Sequence, residues 1–481
     1  MKKLGIILVA MVFVIIGVSS DAAAQFDREF DPVIVLGSEC GDLLSLTAAD
    51  VRVYAFTLNT GVWAPIPFQI DDFKVDNNSD SGKKVEWDGN GLIDGVDEIV
   101  FMAKDLGDKA ADATVWPDDM QSQNYTRYEI VVSDAVSGED RYAYIYYSST
   151  LAKNNTLYIS YDNDVVSGTS YAIGHDTDDA GGLPDSLSIV GSNVDVLDGW
   201  RVRAHINKIV IEADLGFGAV EFTGRDIDFS ENMNENIELK YGFITVTVNA
   251  KAFHDVAALK AKIGAVRVIR EHAMAIKFAT TGLTDTSRIP ITTIYYDKSV
   301  EFEPAFSLNL GDDVKELESD YISFSSGLDQ SSMNFKFYGG DPFLSGTGTQ
   351  DLLIDGDPLN IIFKNELSET DWPGKHWFGF TGQPSSPVNN ASFITIANLN
   401  GVRIAPSRTP ALYHYDYKTD DGDENGVYGI SGLRIYDWSS AYSTNFDIDA
   451  LFRKFYLAKN STDSEMQALF DQYSVPLQQA S

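Results

Sequence analysis

The most specific local pattern in the chain is Trp87-Asp88-Gly89-Asn90-Gly91-Leu92-Ile93-Asp94-Gly95-Val96-Asp97-Glu98. Calcium takes roughly six to eight hard oxygens at short range. A loop that alternates Asp or Asn with other residues, and places Gly where it turns, supplies such oxygens. Asp88, Asn90 and Asp94 would ligate through their side chains, and Leu92 through its backbone carbonyl. Asp97 or Glu98 would close the shell, with Ile93 turned inward as an apolar pin. The segment is shorter than an EF-hand loop. The residues that follow it, Ile99-Val100-Phe101-Met102-Ala103, read as a strand and not a helix. The expected cofactor is therefore calcium in a strand-flanked loop. The plain alternative is an Asp/Asn/Gly-rich hairpin turn that binds nothing. A second acidic run, Asp420 to Gly426, has consecutive acids and reads as a solvated turn.

A second group could do acid–base chemistry. In Trp200 to Asn207 the strand period of two puts Arg201, Arg203, His205 and Asn207 on one face. In Val266 to His272 it puts Arg270 and His272 on one face. If the two strands were neighbours, they would make a positive patch. Arg meets carboxylate and sulfate with two parallel hydrogen bonds, and His carries protons near neutral pH. Cleavage of a uronate chain needs those parts. A cation stabilises the enolate-like intermediate, a base removes the proton α to the carboxylate, and an acid such as Tyr295 or Tyr296 assists. The candidate catalytic residues are thus Arg201, Arg203, His205, Arg270 and His272. The ordinary alternative pairs these arginines with acids on neighbouring strands. Elsewhere the chain has no G-x-S-x-G elbow, no H-E-x-x-H helix and no phosphate-cradling glycine loop. Its one cysteine, Cys40, stands beside Glu39 and Asp42, which disfavour a thiolate. The aromatic run Trp372 to Phe380 reads as a loop folded back into a core, with sugar stacking as its rival.

The elements that must position these residues are mostly strands. Alternating runs rich in Tyr, Val, Ile, Thr and Phe lie at Val51–Leu58, Tyr128–Ser133, Tyr142–Ser148, Ile206–Ala213, Phe243–Ala250, Ile289–Tyr296 and Phe393–Ala397. Helical patterns are few: Val256–Ile263, Ile448–Leu457 and Ser464–Tyr473. Thr462 and Glu465 have the spacing of a capping box for the last. Lys153–Ser170 and His175–Asp185, rich in Asn, Asp, Ser and Gly, read as boundaries. The expected fold class is mainly β. An N-terminal β-sandwich spans 25–150, a larger multi-strand β-sandwich spans 155–445, and a short C-terminal helical segment spans 446–481.

Composition sets the setting. The 71 acidic residues against 36 basic ones give a net charge of −35, which argues against nucleic acid as a partner. It favours solubility and fits calcium or a saline habitat. A single cysteine excludes an internal disulfide. Lys2 and Lys3, the uncharged run Leu4–Val18 and the small residues Ala22-Ala23-Ala24 read as a signal peptide over 1–24. That places the protein outside the cell, in the periplasm or at the cell surface. The sequence offers no later transmembrane segment.

One stretch carries a family likeness. Pro65-Ile66-Pro67-Phe68-Gln69-Ile70-Asp71-Asp72, followed by the loop from Asp88 to Glu98 and then Ile99 to Gly107, resembles a segment of secreted β-sandwich proteins related to polysaccharide lyases. The resemblance implies a carbohydrate-related role. The matching residues belong to scaffold or metal loop, so it implies no catalytic residue. The readings combine into an exported calcium-binding β-sandwich protein acting on or binding anionic extracellular polysaccharide. The rival is a non-catalytic cell-surface or matrix structural protein.

Overall fold

The structure is a computed structural model. It describes residues 27–74, 89–111, 115–175, 254–276, 289–303 and 461–480 continuously, and elsewhere between 184 and 457 the strands, many as backbone alone. The signal segment 1–24, Asp88 and the acidic run 420–426 lie outside the described residues. The fold is mainly β, with antiparallel pairing throughout the described strands.

The N-terminal sandwich follows from alternation. Its five-stranded sheet runs Val62–Pro65, Val51–Thr57, Glu139–Tyr147, Tyr128–Asp134, Gln478–Ala480 in spatial order. Its three-stranded sheet runs Pro32–Leu36, Glu98–Met102, Phe68–Asp71. Val51, Val53, Ala55, Ala143 and Ile145 on one face of the larger sheet meet Val33, Val35, Ile99 and Phe101 in a shared core. The residues between them, Tyr54, Phe56, Tyr142, Tyr144 and Tyr146, form an aromatic layer on the opposite face with Trp63 and Trp116. Burial on both faces explains why Val51–Phe56 is buried at every position while Tyr128–Asp134 alternates. The edge of this sheet is closed by the C-terminal strand Gln478–Ala480.

Two nine-stranded sheets and a five-stranded sheet make up the rest, with a two-stranded ribbon of Phe306–Asn309 and Asn445–Ile448. Strands expected at Ile289–Tyr296 and Phe393–Ala397 are present as Ile289–Tyr296 and Ser392–Leu399. Two helical expectations are corrected. His254–Ile263 is a strand hairpinned to Arg267–Ile276, and pairing overrides the helix-forming Ala, Leu and Lys in it. Ala450–Leu457 is a strand inside a nine-stranded sheet. It is buried on both faces from Phe452 to Tyr456, so it lacks the alternation that marks a half-buried strand. The third helix is present over Asp463–Ser474, with the Thr462–Glu465 capping box. It packs Met466, Leu469 and Phe470 on Trp377, Ile394, Ile396 and Phe455. Trp377 is thus core, as the aromatic run suggested.

Arg28 ties both chain ends to the sandwich. Its guanidinium, fully buried, pairs with Asp134 and donates to the carbonyls of Gln472 at 2.7 Å and Val475 at 3.0 Å. A cation there also suits the negative end of the helix.

Candidate functional site

The acidic loop is held by its own acids. Gly91 adopts a φ of +74°, and its amide donates to the Asp72 Oδ2 at 2.9 Å. The side chains of Asn90 and Asp94 accept from the amides of Leu92 and Val96, at 2.7 and 2.9 Å. Asp97, wholly buried, accepts from the amides of Phe73 and Asp94, both at 2.8 Å. Burial pushes its carboxyl up to about 6; the two amides pull against this, and the nearby Asp94 and Asp72 carboxylates add to the rise. Ile93 is buried as an apolar pin. One oxygen stands out: Asp72 Oδ1 is buried without a hydrogen-bond partner in a side chain only 9% exposed. Sequence reasoning did not name Asp72 as a ligand, although it closes the Pro65–Asp72 motif. Among the described residues no group of three or more His, Cys, Asp or Glu is arranged to hold a metal ion. Asp88, the first acid of the loop, is not among them.

Glu98 has a different engagement. Its carboxylate meets Arg267 Nη2 at 2.5 Å, and Asp71 meets the same guanidinium at 2.6 Å. Gln69 completes this clamp. Its Oε1 accepts from the amides of Val266 and Arg267 at 2.8 and 2.7 Å, while its Nε2 donates to Asp71 at 2.9 Å. The clamp fastens the N-terminal sandwich to the turn that begins strand Arg267–Ile276.

The predicted Arg and His residues fall on two sheets. Arg201–Ala213 lies between Gly218–Asp228 and Val314–Leu328, in one nine-stranded sheet. Arg267–Ile276 lies between His254–Ile263 and Ile289–Tyr296, in the other. Strand pairing therefore does not make Arg201, Arg203 and His205 neighbours of Arg270 and His272. Asp228 stands opposite Arg203 in register, and Asp226 opposite His205.

Arg270 meets a group that the sequence did not reveal. It is 1% exposed, with its guanidinium over the Tyr161 ring and 3.9 Å from Asp164 Oδ1. Tyr161 donates to the same oxygen at 2.5 Å. His175 lies beside them. Its Nδ1 is 2.7 Å from the Asp164 carbonyl and its Nε2 is 2.7 Å from the Tyr295 hydroxyl. A carbonyl only accepts, so Nδ1 bears the proton, and Nε2 of the neutral ring accepts from Tyr295. Burial raises the Tyr295 phenol to about 12, with Arg270 working in the opposite direction. Tyr295 was anticipated as a candidate acid, but His175, Tyr161 and Asp164 were not. Asn163-Asp164 between two short β runs is a hairpin signal, yet it sat in a stretch whose polar composition read as a boundary.

No family model matches the chain, and no curated protein matches it. Among solved structures it is similar to an alpha-mannosidase from Enterococcus faecalis V583, at 7% identity and a TM-score of 0.35. The match covers 94% of this chain and 44% of that one, so the chain spans less than half the enzyme's length. A likeness at this level carries no argument about activity.

Proposed function

We propose that the protein is an exported, calcium-stabilised β-sandwich protein that binds anionic polysaccharide outside the cytoplasm. The observation that carries the calcium part is the buried, unpartnered Asp72 Oδ1 beside the Asp97 loop. A cation would satisfy that oxygen and offset the repulsion among Asp72, Asp94 and Asp97. Asp88, Asn90, Asp94 and Asp97 remain the proposed further ligands, joined by Asp72. Glu98 is the weakest of the original set, because Arg267 already engages it. The polysaccharide part is supported by the motif likeness and by the Arg-bearing strands.

Thermal unfolding with calcium and with excess chelator tests this. A ligand bound by the native state alone at 100 times its dissociation constant adds about 2.7 kcal/mol. A rise in melting temperature that Asp72→Asn and Asp94→Asn abolish supports the site, and an unchanged melting temperature overturns it.

Cleavage is the second reading, favoured by the 2.7 Å contact between His175 and Tyr295 beside Arg270. The burial of Arg270 and Tyr295 favours binding over cutting. New ultraviolet absorbance from an unsaturated uronate product would decide for cleavage.

A further inference from the structure

The hairpin Ser160–Asp162/Val165–Ser167 turns through Asn163 and Asp164, both left-handed at φ 49° and 60°. It is the edge of its five-stranded sheet, and Ser160, Asp162, Asn163 and Val165 along it are exposed. Few apolar groups therefore hold it down, and such a segment opens at low cost. Its tip covers Arg270, His175 and Tyr295, each more than nine-tenths buried. The tip does so with a carboxylate. Asp164 Oδ1 takes the Tyr161 hydroxyl at 2.5 Å and faces the guanidinium at 3.9 Å, a long and weak approach for an ion pair.

A buried guanidinium backed by an aromatic ring, a phenol donor and a His–Tyr pair are the donors that a sugar carboxylate requires. We propose that Asp164 is an internal stand-in for the carboxylate of an acidic sugar. Opening the hairpin then exposes a carboxylate site formed by Arg270, Tyr161 and the His175–Tyr295 pair. The proposal rests on the reading that the protein binds anionic polysaccharide, and it names where the charged group goes. The site is self-occupied, so ligand competes with a tethered carboxylate whose effective concentration is in the millimolar range. Removing that competitor strengthens binding.

The test compares the full mature chain with its Asp164→Asn variant. Asn tolerates the left-handed turn and lacks the charge, so the hairpin is retained. Matching near-ultraviolet circular dichroism verifies this. Both proteins are titrated calorimetrically with an oligogalacturonate and with its carboxyl-reduced, neutral counterpart. The expected result is roughly tenfold tighter binding of the acidic probe by Asp164→Asn, with no gain for the neutral one. The His175 ring resonances should also move on binding, because the hairpin carbonyl leaves Nδ1. Equal or weaker acidic-probe binding by the variant overturns the stand-in while leaving the polysaccharide reading intact. An equal gain with the neutral probe overturns it as well. Binding by neither protein overturns both.

Discussion

Replacing Arg267 by methionine removes the cation that joins the N-terminal sandwich to the strands behind it. Arg267 reaches Asp71 at 2.6 Å and 2.8 Å, and Glu98 at 2.5 Å. The side chains are 2%, 1% and 17% exposed, in the order Arg267, Asp71, Glu98. Methionine fills much of the same volume but leaves Asp71 charged in the interior. Breaking a buried pair from one side costs about 3–5 kcal/mol. The low end applies here, because Gln69 still donates to Asp71 and Glu98 can turn toward water. We expect a loss of about 3 kcal/mol in urea unfolding followed by tryptophan fluorescence. Adding Asp71→Asn to Arg267→Met removes the stranded charge and should return more than half of that loss. A single variant within about 0.5 kcal/mol of the parent would refute the argument, since that is the behaviour of an exposed pair.

Three further outcomes follow from local geometry. Gly264→Ala places a Cβ 2.1 Å from Gln69 Oε1, so the amides of Val266 and Arg267 lose their acceptor; urea unfolding should show a loss of about 2 kcal/mol or more. Burial raises the Asp134 carboxyl, but the Arg28 contact and the hydrogen bonds from Ser137 and Val136 together bring it down from 3.8 to about 2. Because its folded value is depressed, its contribution of about 2 kcal/mol is complete above pH 4 and disappears as pH falls toward about 2; Arg28→Ala should flatten that part of the stability–pH curve. Burial first, and then Glu39, push the Cys40 thiol up to about 12, so a thiol reagent at mildly alkaline pH should react with it only after denaturation.

The sequence made the half-buried and the well-patterned strands legible, because side-chain alternation is a local property. Val51–Thr57 and Ile289–Tyr296 could be read within a residue of their observed ends. The helix at Asp463–Ser474 was legible through its cap. His254–Ile263 was not, because its Ala and Leu favour a helix until a partner strand supplies the pairing. The acidic loop was visible as a loop, and Ile93 as its pin. What holds it was not visible, since Arg267 stands 196 residues from Asp71. The same distance problem hid the group around Arg270. His175 lies 120 residues from Tyr295, and no pattern in one strand announces a partner in another.

The two clusters share one support. Strands Arg267–Ile276 and Ile289–Tyr296 are paired, with Arg267 opposite Tyr296 and Arg270 opposite Thr293. Successive strand residues point to opposite faces. Tyr296 therefore turns with Arg267 toward the acidic loop, where Val100, Met102 and Val266 pack on it. Tyr295 turns the other way with Arg270, toward His175 and the hairpin. The acids around Asp71 and Glu98 thus fix the start of the strand that carries Arg270. A cation held by Asp72 and Asp97 would brace the Glu98 end of the same clamp, since Asp97 is its neighbour in the chain. The sandwich and its loop act on the Arg270 cluster through two rigid strands, with no moving part between them. Losing the Gln69–Asp71–Arg267 contacts should therefore disturb His175 and Tyr295 even though none of those residues touches them.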